Sequence, residues 1–352
     1  MDIRTVDPFD DAALAAWHRT VVAADRHGRE EAATPWALAE VRADQQAGQD
    51  DSIKRLYSGV VDGKVVVGGE FDASLLDSLD HARVAVYTAP EHRRRGHGSA
   101  MLEHLEQVAS EHGRTVLNAE AAWPYDAPAD GRGSESADFL THRGFKFGLG
   151  DIARVLDLPV DQGLLDRLAA DVAPAHAAYT LRSWVGPVPD DLIASHVELD
   201  ALLMVEAPTG ELEREPEKAD VEAFRRHENV VRLQGRTKYT TVAVDEEGTV
   251  VAFTDIVTTS HQPDLAFQWG TLVRRNDRGH RLGLAVKVAN LLSFQHEQDR
   301  ARHLRTWNAE VNRHMVAVND LLGFRPLERL GEFQMRLPGP TEERGRSASR
   351  PG

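Results

Sequence analysis

The chain of 352 residues contains no cysteine. Disulfides, thiolate metal sites and cysteine nucleophiles are therefore excluded together. Its histidines are scattered, with no His-Glu-x-x-His run or similar ligand spacing, so no metal is expected. No apolar stretch approaches the roughly 18 residues that cross a bilayer, and no membrane span is expected. The opening "MDIRTVDPFDDAALAAW" is acidic and lacks the basic-then-apolar order of a secretory leader. With the missing cysteines, this fits a cytoplasmic protein. Cations are also in deficit: 41 Lys and Arg stand against 56 Asp and Glu, a net charge of −15. Nucleic acid is not expected as a partner of such a chain, because phosphate backbones need a cationic face.

The composition that remains, 41% hydrophobic and 28% charged, is that of an ordinary globular protein. Its length favours two domains over one core. Two stretches make the same point. Residues 92–102 read "HRRRGHGSAML" and residues 277–287 read "DRGHRLGLAVK". Each leads with arginine, is punctuated by glycine and opens an apolar-periodic helix. Arg93 and Arg278 lie 185 residues apart, a little over half the chain, which points to a duplicated domain.

The order of elements repeats with that spacing. In the first half "DIRTV" predicts a strand, followed by helices over Asp10–Arg26 and Pro35–Ala47. "IKRLYSGVVDG" and "KVVVGGEFDAS" predict a hairpin turning at Asp62-Gly63. "ARVAVYTAP" predicts the strand before the loop. Met101, Leu102, Leu105, Val108 and Ala109 then recur at helical spacing. "RTVLNAEAAW", a helix over Ser134–His142 and a strand after Gly144-Phe145 complete the half. The second half predicts a strand "YTLRSWV", helices over Asp190–Leu203 and Asp220–Gln234, and a hairpin turning at Glu246–Gly248. The strand "DLAFQWGTLV", a helix through Leu284, Val288, Leu291 and Leu292, the strand "LRTWNAE" and a helix Arg313–Leu322 before Gly323-Phe324 follow. Domains are expected over 1–158 and 178–337, with a connector helix in 159–177 closed by Pro174. The Pro/Gly/Ser-rich tail 338–352 is expected to be disordered.

A strand feeding Arg-x-x-Gly-x-Gly and then a helix suits a diphosphate. Glycines permit close backbone approach, successive N–H groups form an anion nest, and the helix dipole adds to it. Arginines supply charge-assisted hydrogen bonds. The first loop has the full pattern at Arg93, Gly96 and Gly98; the second has Arg278, Arg281 in place of the first glycine, and Gly283. A dinucleotide fingerprint would need a third glycine where Met101 stands. A P-loop would need Gly-Lys-Ser/Thr, which is absent.

These loops, their strand order and the helix-then-"GF" endings resemble the GCN5-related N-acetyltransferases (GNAT). The resemblance spans about 1–155 and 178–337, and the tandem arrangement is similar to that of two-domain actinobacterial members. It implies an α+β fold of two tandem GNAT-like domains, each a mixed, mostly antiparallel sheet flanked by helices. It implies acetyl-CoA as co-substrate and a small-molecule or peptide amine as acceptor, in a pseudo-dimeric monomer or a homodimer. A non-catalytic CoA-binding or regulatory protein is the alternative.

By the resemblance, CoA contacts fall on Arg93, Arg94, Arg95, Gly96, His97, Gly98 and Ser99, and on Arg278, Gly279, His280, Arg281, Leu282, Gly283 and Leu284. Backbone N–H groups around Val86–Tyr87 and Leu272–Val273 would polarise the thioester carbonyl. Asn312 matches the asparagine that often opens the last family helix, or it is simply a helix cap. The family's proton-donating tyrosine is missing: Asn319 stands in its place, and Gly133 and Leu140 occupy the two positions in the first half. Gln268, Thr271 and Glu310 lie on strands flanking the second loop. Glu310 is the candidate base, Glu120 its approximate counterpart, and either carboxylate is otherwise a solvated one. Trp269 and Trp307 read as core. The acidic run from Glu211 to Glu222 would attract a cationic amine or merely solvate a loop. Chemistry is expected in the second half, and CoA binding in both.

Overall fold

In the computed structural model, residues 1–47 and 50–337 are described; the expected tail, 338–352, lies outside the described residues. The first half runs β1 (Asp2–Thr5), α1 (Asp11–Arg26), α2 (Leu38–Gln46), β2 (Ser52–Val61), β3 (Lys64–Ser74), β4 (His81–Thr88), α3 (His97–Glu111), β5 (Val116–Pro124), α4 (Glu135–His142) and β6 (Lys146–Asp157). Local chemistry sets these limits. Asp62 and Gly63 turn the β2–β3 hairpin with φ of 49° and 76°, the left-handed pair that a two-residue turn needs. Asp10 caps α1 by accepting from the N–H groups of Ala12 and Ala13. Ser134 caps α4 by accepting from Ala137.

The second half runs α5 (Gln162–Val172), β7 (Thr180–Val185), α6 (Ile193–Asp200), α7 (Leu203–Glu206), α8 (Val221–Leu233), β8 (Arg236–Val244), β9 (Val250–Thr259), β10 (Leu265–Val273), α9 (Leu282–Glu297), β11 (His303–Ala309), α10 (Arg313–Leu322) and β12 (Arg325–Arg336). The helix expected over Asp190–Leu203 is divided into α6 and α7. Its leading residues turn outward instead: Asp190 pairs with Arg225 at 2.7 Å and Asp191 with Arg182 at 2.6 Å. The helix expected from Pro35 begins only at Leu38, where Glu40 reaches back to the N–H of Ala37 at 2.8 Å.

Two compact units result. One comprises Met1–Leu149, Gly210–Leu212 and the stretch from Leu330; the other comprises Gly150–Thr209 and Glu213–Arg329. In the first, β1-β2-β3-β4-β5 are neighbours in order, followed by the β12 residues from Leu330. In the second, β7-β8-β9-β10-β11 are followed by the β6 residues from Gly150. From β1 to β5, and from β7 to β11 and on to β6, pairing is antiparallel except for β4 with β5 and β10 with β11. Each unit thus has the mixed, mostly antiparallel sheet and α+β architecture that the sequence implied.

Helices cover both faces. A Cβ on Gly68 of β3 would meet Trp17 and Val21 of α1, whereas one on Gly69 would meet Met101 and Leu105 of α3. In the second unit, Val197 and Leu199 of α6 pack with Phe253, while Leu284, Val288, Leu291 and Phe294 of α9 pack with Ile256 on the other face. The connector helix α5 adds Leu165, Leu168 and Val172 to that same core. A 3₁₀ turn over Ala173–His176, with Pro174 in its first turn, follows it.

Candidate functional site

The two arginine loops share one backbone path. A 3₁₀ turn follows the strand in each, Pro90–His92 and Arg275–Asp277, entered through residues with the same φ of −51° and ψ of 135°. Arg93 and Arg278 then extend at φ −64° and −67°. The next left-handed positions are Arg94 (59°) and Gly96 (86°) in one loop, Gly279 (94°) and Arg281 (54°) in the other. The glycine has moved between two positions that both keep positive φ. Arg281 therefore preserves the nest without the expected glycine, at the strain of one left-handed non-glycine residue.

The leading arginines are braces. Arg93 donates through Nε to the Thr88 carbonyl at 3.3 Å, and its terminal nitrogens reach Glu135 and the Ala24 carbonyl, both at 3.1 Å. Arg278 donates in the same way to Val273 at 3.4 Å and to Glu206 at 2.8 Å. Arg94 and Arg95 are exposed at the mouth of their loop. Arg281 reaches the Asp171 carbonyl at 3.2 Å. Ser99 accepts from Arg143, a residue that the sequence pattern did not mark. His97 faces His92, with ring centres 6.3 Å apart, and burial pushes its imidazole below the ordinary range. His280 lies beside Tyr179 at 5.4 Å.

The helices that open after these loops differ in detail. A Cβ on Gly98 would lie 3.0 Å from the Thr88 hydroxyl, while one on Gly283 would meet nothing nearer than Val273 at 3.7 Å. Leu282 and Leu284 are buried in the second unit's core, so they face the loop only through their backbone. Asn312 caps α10, accepting from Met315 at 3.1 Å.

Both parallel strand pairs splay. The β4–β5 ladder runs from His81↔Val116 to Arg83↔Asn118, and β10–β11 from Leu265↔His303 to Phe267↔Arg305. Val86, Tyr87, Leu272 and Val273 all lie past those last pairs. The second unit adds a β-bulge between Gln268 and Thr271, a feature that re-aims backbone groups. Gln268 is 4% exposed and pins the bulge, donating to the Thr254 hydroxyl at 2.9 Å and the Asp255 carbonyl at 2.6 Å. Thr271 and Thr254 share a hydroxyl contact of 2.7 Å. Both Gln268 and Thr271 thus stand at the splay, held by protein partners. Glu310 lies just past β11 and pairs with Arg329 at 2.8 Å. By strand register Glu120 corresponds to Trp307, and Glu310 to Trp123. Trp307 stacks on Phe267, and Arg236 lies over Trp269.

The face opposite α9 holds an acidic cluster that the sequence pattern did not reveal. Asp255 of β9 accepts from Thr240 at 2.5 Å and lies 3.7 Å from Lys238. Burial, with Asp255 and Glu217 adding to it, pushes the Asp200 carboxyl up to about 7. His196 is fully buried between Phe224 and Phe253, and burial pushes it down to about 4. The first unit has a carboxylate 185 residues earlier, Glu70, which burial raises and Arg83 approaches at 3.4 Å. That Glu70 carboxylate and burial together lift the Tyr87 phenol. Spacing alone could not have found these groups, since each owes its environment to a facing helix or strand.

Residues 23–127 match the model of the acetyltransferase (GNAT) family. The chain therefore carries a GNAT domain in its first half and has, over its length, the fold of a tandem GNAT protein. A solved tandem GNAT protein from the clavulanic acid biosynthesis pathway is 27% identical, with 96% of this chain and 99% of that one covered at a TM-score of 0.75. A GCN5-related N-acetyltransferase from Sphaerobacter thermophilus is 16% identical, covered 96% on each side, with a TM-score of 0.63. The glucosamine N-acetyltransferase region of a fungal multi-domain β-N-acetylglucosaminidase is 14% identical, at the same TM-score, over 94% of this chain and 38% of that one. No curated protein matches the sequence. Among the described residues no helix is long and apolar enough to cross a membrane.

Proposed function

We infer that the protein transfers acetyl from acetyl-CoA to the primary amine of a small molecule or peptide. The observation that carries this reading is the repeated strand–loop–helix with one shared backbone path, set beside a splayed strand pair in each unit. The nest and helix N-terminus suit the diphosphate, and Arg94 and Arg95 are placed to contact it. The splay gives the thioester a way in, and backbone N–H groups near Leu272 and Val273 are suited to the carbonyl oxygen.

Chemistry is assigned to the second unit. Its bulge presents backbone at the splay, and the Asp200–Asp255 pair suits a base near neutrality. The amine nitrogen attacks the carbonyl carbon, the C–S bond breaks and its electron pair stays on sulfur. The carboxylates take the ammonium proton before the attack, and the proton that the nitrogen sheds afterwards passes to the thiolate sulfur. Glu310, held by Arg329, has a smaller part in this scheme than the sequence implied. Thiol release from acetyl-CoA, measured with a panel of amines, tests the reading. Release that depends on one class of amine supports it; binding without release across the panel would favour the non-catalytic CoA-binding alternative.

A further inference from the structure

At the core position where α3 carries Leu102, α9 carries Lys287, 185 residues later and only 1% exposed. One copy keeps an apolar side chain there and the other buries an amine, which is costly without a carboxylate partner. Lys287 has none. Its Nζ donates to Oδ1 of Asn319 on α10 at 2.9 Å and lies 5.7 Å from the centre of the Phe324 ring. Asp320, next along α10, is taken by Arg154 at 2.8 Å. Lys238 and Asp255 belong to the opposite sheet face. Burial alone pushes the Lys287 amine down to about 7.

This amine fixes a direction. An ammonium only donates, so Asn319 must turn its carbonyl oxygen toward Lys287. Its amide nitrogen then faces Asn308 of β11, whose carbonyl oxygen accepts. The Asn308 Nδ2 is left as a donor, and among the described residues no protein group accepts from it. Asn308 lies three residues past Arg305, the last β11 residue paired with β10.

We propose that Lys287 is a positioning residue for acyl transfer in the second unit: through Asn319 it holds Asn308 as a hydrogen-bond donor to the leaving sulfur of the thioester. This rests on the acyl-transfer reading above. As the C–S bond breaks, the electron pair collects on sulfur, where a preorganised, polarised donor has its greatest effect. A neutral Lys287 has a lone pair and lets the amide chain reverse. The donor is therefore fixed below the Lys287 pKa and released above it.

The test has two arms. In the protein without ligand, the side-chain amide resonances of Asn308 and Asn319 should titrate together with a midpoint of about 7, and Lys287→Met should abolish that step. Resonances that do not move, or that move equally in the variant, would overturn the proposal. In turnover, Lys287→Met and Asn308→Ala should each lower kcat about tenfold, an effect of roughly 1.4 kcal/mol. The KM for acetyl-CoA should change little, and the double variant should be no worse than either single one. Lys287→Met should also remove the fall in kcat on the alkaline side of 7, leaving only the rise set by Asp200 as it loses its proton, and should melt no lower than the parent, since Leu102 fills the matching place. Parental kcat and pH profile in Lys287→Met would overturn the proposal. Absence of thiol release from the parent protein would instead remove the acyl-transfer reading, with the resonances still deciding whether Lys287 governs Asn308.

Discussion

Gly96 and Arg281 occupy one backbone position in the two loops, at φ of 86° and 54° respectively. Both cap the following helix from the left-handed region. A side chain there costs about 1 kcal/mol relative to glycine. Gly96→Ala should therefore destabilise the protein by about that amount, although a Cβ would meet no neighbour within 4 Å. Arg281→Gly should stay within about 1 kcal/mol of the parent, because relieved strain offsets the freedom gained by the unfolded chain. Denaturant unfolding of the two variants checks this pair. A Gly96→Ala protein as stable as the parent would show that the loop is not held at positive φ.

Arg93 and its two neighbours should separate cleanly. Arg93 joins the carbonyls of Ala24 and Thr88 to Glu135. Arg93→Ala should cost about 1–3 kcal/mol of stability by leaving partly buried acceptors unmet. Arg94→Ala and Arg95→Ala, at exposed sites, should leave the melting temperature nearly unchanged. They should weaken acetyl-CoA binding by the first unit, and more so at low salt. Calorimetric titration beside thermal melts distinguishes brace from ligand contact.

The duplicated order of elements was legible because glycine, arginine and apolar periodicity are local signals. The positions of Gly279 and Arg281 show how far such signals go: the pattern looked damaged, yet the backbone path is kept. What could not be read depended on partners distant in sequence. Lys287 looks like any helical lysine until Asn319, 32 residues on, closes over it. Asp200 closes a short helix, and burial, with Asp255 and Glu217 adding to it, makes its proton persistent. The bulge at Gln268 needs Thr254 on the neighbouring strand to satisfy it. The late start of the helix expected from Asp190 likewise goes with ion pairs to Arg225 and Arg182, distant in sequence.

Asp200 and His196, four residues apart on α6, should pull stability in opposite directions with pH. The folded state holds the Asp200 proton up to about 7, against an ordinary value of 3.8. Its contribution is thus present at low pH and lost as pH rises through that window. His196 is held neutral down to about 4, against 6.5, so its contribution is present above 6.5 and lost as pH falls toward 4. The two slopes oppose each other between about 4 and 6.5, and the parent should show a shallow profile there. Asp200→Asn should expose the histidine slope, with stability rising with pH, and His196→Phe should expose the aspartate slope, with stability falling. Urea unfolding from pH 4 to 8 reads both. Parallel profiles in the two variants would contradict the assignment.

Gly283 and Gly98 should report on which unit carries the chemistry. Both stand in the first turn of the helix after the loop, but their surroundings differ. A methyl group at 283 has an ordinary contact with Val273 at 3.7 Å, while one at 98 presses on the Thr88 hydroxyl at 3.0 Å. Gly283→Ala should therefore fold and melt like the parent. If a diphosphate approaches this backbone closely, the added Cβ stands in its way. Affinity for acetyl-CoA in the second unit should then fall about tenfold, some 1.4 kcal/mol, with kcat/KM following it. Gly98→Ala should lower stability slightly through the strained hydroxyl contact and leave most of the turnover intact. Melting curves together with thiol-release kinetics decide the matter. Full turnover in Gly283→Ala beside a large loss in a folded Gly98→Ala would place the chemistry in the first unit, on the Glu70–Arg83–Tyr87 face.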